Sequence, residues 1–439
     1  MPPGLRFPRL DDWLEWQQSL HPQAIELGLD RVVRVLRRTG WRRFAQPVIT
    51  VGGTNGKGSV VALISAMLGA GGYRVGTFTS PHLVDYRERI RLDGEWVSEA
   101  SLTASFERIA DALGDESLTF FEFNTLAALL VFETAAPDAI VLEVGMGGRL
   151  DAVNLVDPDV AIVVSVGLDH MEWLGDDVEA IGREKAGIFR AGRPAIVGTS
   201  APPRSVLETA AALGARLLLR GRDFDGIVRA DGAWDYRDRT GRLDALPLPA
   251  LQGAVQVGNA ATAIAAAREL AALLPLKRAA MEAGLRAASL QGRFQRVDSG
   301  RGFEWVLDVA HNPDSARVLA ANLASFPVPG RTIAVCGMLA DKDVAAVLGR
   351  LHERVDAWFA ATTDGPRGLV ASDLARRGQA AGIQMAVAGR IVAAMQAAAN
   401  EARPGDRVVI FGSFHSVGPA LHHLQVVRDA QGGFTRPRV

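Results

Sequence analysis

The chain has 439 residues, a formal net charge of −1, 48% hydrophobic residues and 22% charged residues. That length exceeds one hydrophobic core and predicts two domains of ordinary globular composition. The scattered, balanced charge argues against a large non-specific nucleic-acid surface. No apolar run is long enough for a helical membrane span, residues 1–10 lack an apolar signal core, and the single cysteine, Cys336, suits a reducing cytoplasm.

Leu10 to Leu36 reads as helical, with Asp11 or Asp12 as the cap ahead of Trp13 and Trp16. Gly28, inside I-E-L-G-L-D-R, reads as a helix C-cap before a second helix, Asp30 to Arg38. Val48 to Met67 then organises the rest of the chain. A β-branched strand (Val48–Val51) leads into a turn with Gly52, Gly53, Gly56 and Gly58, and a helix follows from Ser59 to Leu68. Strand, glycine loop, Lys57, Ser59 and helix in that order form a phosphate-binding layout. The glycines let backbone N–H groups face an anion, the helix start attracts it, and Lys57 adds a point charge. The match to G-x-x-x-x-G-K-[ST] is imperfect, since Val51 holds the first glycine position and Gly58 separates Lys57 from Ser59.

A second strand, Tyr73 to Thr79, ends in Ser80-Pro81-His82-Leu83, a loop at the carboxyl edge of a sheet, where open α/β folds bind ligands. Arg87, Glu88, Arg89 and Arg91 read either as a solvated face or as a holder for an acidic substrate. An amphipathic helix spans Ser98 to Leu113. Phe120, Phe121 and Phe123 surround Glu122 before a helix from Asn124 to Ala135, as core packing or as a seat for a flat aromatic ligand. A carboxylate there needs a partner or a raised pKa. Apolar strands at Ala139–Val144 and Val160–Ser165 point to a parallel sheet covered on both faces. They carry Glu143 and, further on, Asp169-His170 to the same edge, so Ser80, Glu143 and His170 could share one Mg²⁺. By itself His170 reads more readily as structural, and Lys185, in G-R-E-K-A-G-I-F, as a surface lysine.

Another short strand is expected at Ala195–Gly198, an antiparallel patch at Phe224–Arg237, and an alanine-rich helix at Gly253–Leu274 containing Asn259. A boundary near residues 296–300 precedes a smaller α/β unit. Its strands are Glu304–Val309, Thr332–Cys336 (with Cys336 as a buried strand thiol), Ala357–Ala361 and Arg407–Phe411.

Taken together the motifs are specific. They are G-T-N-G-K-G-S (53–59), S-P-H-L (80–83), E-V-G-M-G-G-R-L-D-A (143–152), D-H (169–170), G-R-E-K-A-G-I-F (182–189), G-R-F-Q (292–295), D-V-A-H-N-P (308–313), G-M-L-A-D-K-D (337–343) and G-S-F-H (412–415). In order and spacing the chain closely resembles the Mur-ligase-type ATP-dependent amide ligases, and within them the dihydrofolate synthase/folylpolyglutamate synthase family. The resemblance implies an α/β fold. An N-terminal P-loop ATPase-type three-layer domain (1–296) would bind ATP and pterin, and a smaller Rossmann-like glutamate ligase domain would span 297–439, with the active site in the cleft.

Carried over residue by residue, Gly56, Lys57, Gly58 and Ser59 resemble the ATP phosphate loop, and Ser80, Glu143 and His170 the Mg²⁺ ligands. Lys185 resembles the family's carbamylated lysine, which replaces the surface reading. Asn259, Arg293 and Asp308 resemble further ATP contacts. A second Mg²⁺ and a monovalent cation are additional cofactor candidates. The dihydropteroate site of bifunctional members matches Glu26, Leu27, Gly28 and Leu29, then Thr119, Phe120, Phe121 and Glu122, then Leu150, Asp151 and Ala152. His311 and Ser413 are candidates for holding the incoming glutamate. Glu26 stands where a close relative carries Asp, and Q-V-G-N before Ala260 lacks a histidine that some relatives have. The implied activity phosphorylates a pteroyl carboxylate with ATP and transfers it to L-glutamate, with reduced folates as further acceptors. The expected setting is a cytoplasmic monomer without nucleic-acid or membrane partners. A polyglutamate-only enzyme, a ligase for cell-wall precursors and a slow nucleotide-hydrolysing switch are the competing readings.

Overall fold

In the computed structural model, which describes residues 6–430, the β-branched run before the glycine loop lies inside a parallel sheet. Its strands are β1 (Val48–Gly52), β2 (Val75–Phe78), β3 (Ile90–Leu92), β4 (Glu95–Trp96), β5 (Ala139–Glu143), β6 (Val160–Val163), β7 (Pro194–Val197) and β8 (Arg216–Leu219), in the order β4-β3-β2-β5-β1-β6-β7-β8. From β2 to β8 neighbouring strands run parallel; β3 and β4 form an antiparallel edge. Every residue of β1, β2, β5, β6 and β7 is buried, which is why these strands read as unbroken apolar runs rather than alternating ones.

Three further strands, β9 (Phe224–Val228), β10 (Trp234–Asp238) and β11 (Gly241–Leu246), make the expected antiparallel patch. The last six strands are β12 (Gln295–Asp298), β13 (Glu304–Asp308), β14 (Thr332–Cys336), β15 (Ala357–Thr362), β16 (Ala386–Arg390) and β17 (Arg407–Phe411), in the order β12-β13-β17-β14-β15-β16. All are parallel except β12, which pairs antiparallel with β13. Side chains alternate across this sheet. Ala334, Cys336, Val409 and Phe411 join one core, and Ile333, Val335, Val408 and Ile410 join the other. Burial pushes the Cys336 thiol far up, as the strand reading of that residue requires.

The fold is thus mixed α/β with two sheets rich in parallel pairing. Two compact units divide it: residues 1–80, 87–250 and 257–288, and residues 81–86, 251–256 and 289–439. No helix among the described residues is long and apolar enough to cross a membrane.

Several sequence expectations are corrected. The helical reading of Leu10 to Leu36 fails over residues 20–29, which are irregular and separate helices Leu10–Ser19 and Asp30–Arg38. Neither Asp11 nor Asp12 caps the first helix. The cap position is Arg9, and Asp12 pairs with its guanidinium at 2.6 Å. Gly28 is not a C-cap; it lies in extended backbone ahead of the second helix. The charged run at Tyr86–Arg91 is not a solvated face either. It forms a 3₁₀ turn and β3, with Tyr86, Glu88 and Arg89 buried. Strand β12 had no reading, β8 and helix Arg204–Leu213 fall in the stretch 202–249 that reads as less regular, and β16 overlaps the start of an alanine-rich helix read at 388–403.

Helix Lys57–Ala70, which starts at the glycine loop, packs against β5 and against helix Arg278–Ala287. A Cβ added to Gly284 would lie 2.5 Å from the backbone N and Cα of Met67, so no side chain fits between these helices. Gly284→Leu should therefore lower stability by about 1–3 kcal/mol, read as a reduced thermal midpoint. An unchanged midpoint would contradict the contact.

Candidate active site

The glycine loop closes against the chain leaving β6. Thr54 N–H donates to Ser165 O at 2.8 Å and Asn55 N–H to Ser165 Oγ at 2.9 Å. Gly56 sits in the left-handed region at φ +86°, and a Cβ there would be 2.9 Å from Val164 Cγ1 and 3.1 Å from Asn259 Oδ1. That approach places Asn259, on helix Val255–Glu269, directly against the loop. Lys57 opens helix Lys57–Ala70, and its ammonium folds back to donate to Gly53 O at 3.0 Å, across the loop. Gly58 and Ser59 lie buried in the first turn, where N–H groups have no partner within the helix.

Because β2, β5, β1 and β6 are adjacent and parallel, their carboxyl ends share one edge. Ser80 follows β2, Glu143 ends β5, and His170 comes after the loop that leaves β6. The Ser80 N–H donates to Glu143 Oε2 at 3.4 Å, so these two meet directly. Glu143 is buried. His170 holds a left-handed backbone (φ +53°) at the start of the turn Met171–Leu174, fixed by its N–H donating to Asp169 Oδ1 at 2.9 Å. A hydroxyl, a carboxylate and an imidazole suit a hard divalent ion that keeps water and phosphate oxygens as its other ligands. Among the described residues no three His, Cys, Asp or Glu side chains are gathered for a metal.

Lys185 is not on the surface. It lies in the last turn of helix Val178–Ala186 with 4% of its area exposed. Burial, and then the charge of Lys57, push its pKa down to about 7, while Asp169 and Asp151 pull the other way. Asp151 is buried as well. Desolvation drives its carboxyl up to about 6, opposed by the N–H groups of Met146 and Val153 and by Lys57. Lys57, Asp151 and Lys185 therefore form one electrostatic group. Arg149 ties the Gly145–Ala152 loop to the Lys185 helix through an ion pair with Glu184 at 2.8 Å.

Of the three segments expected to hold a pterin, Thr119–Glu122 touches the loop that leads into Leu150–Ala152 and, through Arg31, joins Glu26. Thr119 and Glu122 form a capping box that starts helix Phe120–Ala135 four residues earlier than the sequence reading, and the pattern T-F-F-E is the signal that would have located it. Phe121 packs on the Gly145 loop, where a Cβ would be 2.5 Å from Phe121 Cζ, and lies 5.9 Å from Phe78. The Arg89 guanidinium stands 5.4 Å over the Phe120 ring. Asp151 accepts the Val153 N–H to cap the turn Ala152–Leu155, next to Leu150. On the other side Arg31, absent from the sequence reading, pairs with Glu122 at 2.8 Å and with Glu26, in the irregular segment that also holds Leu27, Gly28 and Leu29. Arg31 is the partner that a buried Glu122 required.

In the second unit Asp308 ends β13 and accepts N–H groups from Phe294 and Ala310 at 2.9 and 2.8 Å. Desolvation raises its pKa, with Arg293 opposing. The Arg293 guanidinium lies 5.2 Å over Phe414. His311 donates from Nδ1 to Val309 O at 2.8 Å, which fixes its tautomer. Ser413 is buried, and its hydroxyl accepts the Ser416 N–H at 3.1 Å and meets Ser416 Oγ at 2.8 Å, at the start of helix Phe414–Ala430.

Residues 51–202 match the Mur ligase middle domain, and residues 292–414 match the Mur ligase glutamate ligase domain. The chain is 44% identical over 423 residues to the dihydrofolate synthase/folylpolyglutamate synthase of Escherichia coli K12, covering 96% of each chain. It is 36% identical to the protein of that name from Haemophilus influenzae, covering 93% of this chain and 96% of that one. Among solved structures it is similar to E. coli FolC in complex with DHPP and ADP, with TM-score 0.90, 43% identity, and coverage of 95% and 98%. A bifunctional folylpolyglutamate synthase/dihydrofolate synthase with Mn, AMPPNP and L-glutamate bound is similar at TM-score 0.86, with 43% identity and the same coverage.

Lys57→Met removes one of two neighbouring positive charges and should raise the Lys185 pKa above about 7, because a like charge disfavours protonation. Amine-selective acetylation of Lys185, read by peptide mass from about pH 6 to pH 9, checks this. Coincident profiles for the two proteins would contradict the coupling.

Proposed function

The chain belongs to the dihydrofolate synthase/folylpolyglutamate synthase family of Mur-type ligases, and we propose that it joins L-glutamate to dihydropteroate and to the glutamate tail of reduced folates at the expense of ATP. The observation that carries this reading is a convergence within one unit. The phosphate loop, the Ser80–Glu143 pair and the Gly145–Asp151 loop, on whose Gly145 the Phe121 ring packs, all stand at one sheet edge.

A carboxylate is a poor acylating agent because oxide does not leave. In the proposed sequence an acceptor carboxylate oxygen attacks the γ-phosphorus of ATP, ADP departs, and an acyl phosphate forms. The glutamate amine then attacks the acyl carbon and phosphate leaves. The first step needs alignment and charge stabilisation more than proton transfer. Gly56, Gly58, Ser59 and Lys57 would cradle the phosphates, with Asn259, Arg293 and Asp308 as further nucleotide contacts. Ser80, Glu143 and His170 would hold Mg²⁺, which supplies positive charge to the phosphate oxygens.

A pKa near 7 leaves much of Lys185 as the free amine, the form that adds CO₂. The resulting carbamate would convert a cation into an anion able to support a second Mg²⁺ or a monovalent cation. Glu26–Leu29, Thr119–Glu122 and Leu150–Ala152 would receive the pterin, and His311 and Ser413 the glutamate. Residues 1–296 would thus serve ATP and pterin, and 297–439 glutamate ligation. The reading places the chain in the cytoplasm as a monomer acting on small molecules, with neither nucleic acid nor membrane as a partner.

Lys57→Ala should cut glutamate incorporation by about 10²–10³-fold or more. Lys185→Ala should lose activity that small carboxylates partly restore. Near-normal turnover of Lys57→Ala with dihydropteroate, ATP and glutamate would overturn the assignment.

A further inference from the structure

We propose that Arg31 is a positioning residue that fixes the acceptor pocket, tying the Glu26–Leu29 segment to the Thr119–Glu122 helix start. The proposal rests on the ligase reading of the same site. Residues 20–29 form no helix or strand. Their shape is held by side chains. His21 meets Ser117 Oγ at 2.7 Å through Nδ1 and Glu26 Oε2 at 2.8 Å through Nε2. The Arg31 guanidinium does more. Nη2 donates to the Glu26 backbone oxygen at 2.8 Å, Nη1 pairs with the Glu26 carboxylate, Nε donates to Glu122 Oε2 at 3.1 Å, and Nη2 lies 2.8 Å from Glu122 Oε1.

Glu122 is itself committed to the helix start, where it accepts the Thr119 N–H at 2.8 Å and the Thr119 hydroxyl at 2.9 Å. Arg31 is therefore the piece common to both segments. Its side chain is 12% exposed and that of Glu122 5% exposed, so the pair is shielded from water; Glu26 is 42% exposed. A planar guanidinium can reach two carboxylates and a carbonyl in fixed directions, which a single ammonium cannot reproduce. Without it, Glu122 keeps a buried charge without its guanidinium partner, and Glu26 is left with His21 alone and its backbone oxygen loses the Arg31 bond. The phosphate loop is braced elsewhere, by Ser165 and Asn259. Loss of Arg31 should accordingly be felt in acceptor binding and not in ATP binding.

Full-length Arg31→Met and Arg31→Lys, assayed with dihydropteroate, ATP and glutamate, test this. Arg31→Met should raise KM for dihydropteroate about tenfold or more while KM for ATP stays within about twofold. Amide hydrogen exchange should accelerate across residues 20–29 and stay unchanged in helix Lys57–Ala70. Arg31→Lys, which keeps the charge but loses the fork, should show an intermediate rise in acceptor KM at an unchanged thermal midpoint, and it carries the test if Arg31→Met does not fold. An acceptor KM within about twofold of wild type in a folded variant, or KM values for ATP and acceptor rising together, would overturn the proposal. A wild-type protein that forms no glutamylated product would instead overturn the ligase reading.

Discussion

Lys185 is buried within reach of the Lys57 charge near the carboxyl edge of the first sheet, and desolvation of its ammonium, with repulsion from Lys57 added, is the constraint around which the site is arranged. Lys57 comes with the phosphate loop and Lys185 with the last turn of a helix five strands later. Asp151 compensates only in part, since its own burial works against its charge. Lowering the Lys185 pKa, driven first by burial and then by the Lys57 charge, is one response to that constraint. A bound triphosphate or a carbamate would be another. Either chemistry uses an electrostatic imbalance that the fold has already set up, so little reorganisation is required when the anion arrives.

The same edge explains how distant stretches of chain come together. Parallel order places the ends of β2, β5, β1 and β6 side by side, so loops from residues 53–59, 80, 143–152 and 165–170 become neighbours. The wall proposed for the acceptor is assembled differently. Phe121 lies on a glycine of the 143–152 loop, Arg89 covers Phe120, and Arg31 joins a helix start to an irregular segment roughly ninety residues away in sequence. Backbone topology gathers the glycine loop, Ser80 and Glu143, and side-chain contacts shape the pocket proposed for the acceptor.

That difference also decides what could be read from the sequence. β1, β5 and the last-unit strands β14 and β17 were legible because buried parallel strands appear as short apolar runs bounded by turns. Glu143 was legible as the ionisable end of such a run. The burial of Lys185 was not, because Arg183 and Glu184 immediately precede it in helix Val178–Ala186, and only the resemblance to known ligases singled it out. Arg31 was invisible because its partners are five and ninety-one residues away. Gly28 was misread since a glycine before a helix looks like one ending a helix when the intervening segment has no pattern. The run at Tyr86–Arg91 stayed open between a solvated face and an acid-binding one, because charge suggests exposure unless a ring such as Phe120 is known to lie beside it.

The central claim is that the acceptor carboxylate is phosphorylated before the amide forms. Dihydropteroate labelled with ¹⁸O in its carboxylate tests it most directly, with the released phosphate analysed by mass after turnover with ATP and L-glutamate. Attack by the carboxylate on the γ-phosphorus predicts one labelled oxygen in each phosphate and the other retained in the amide. Phosphate carrying only oxygen from ATP and solvent would contradict it.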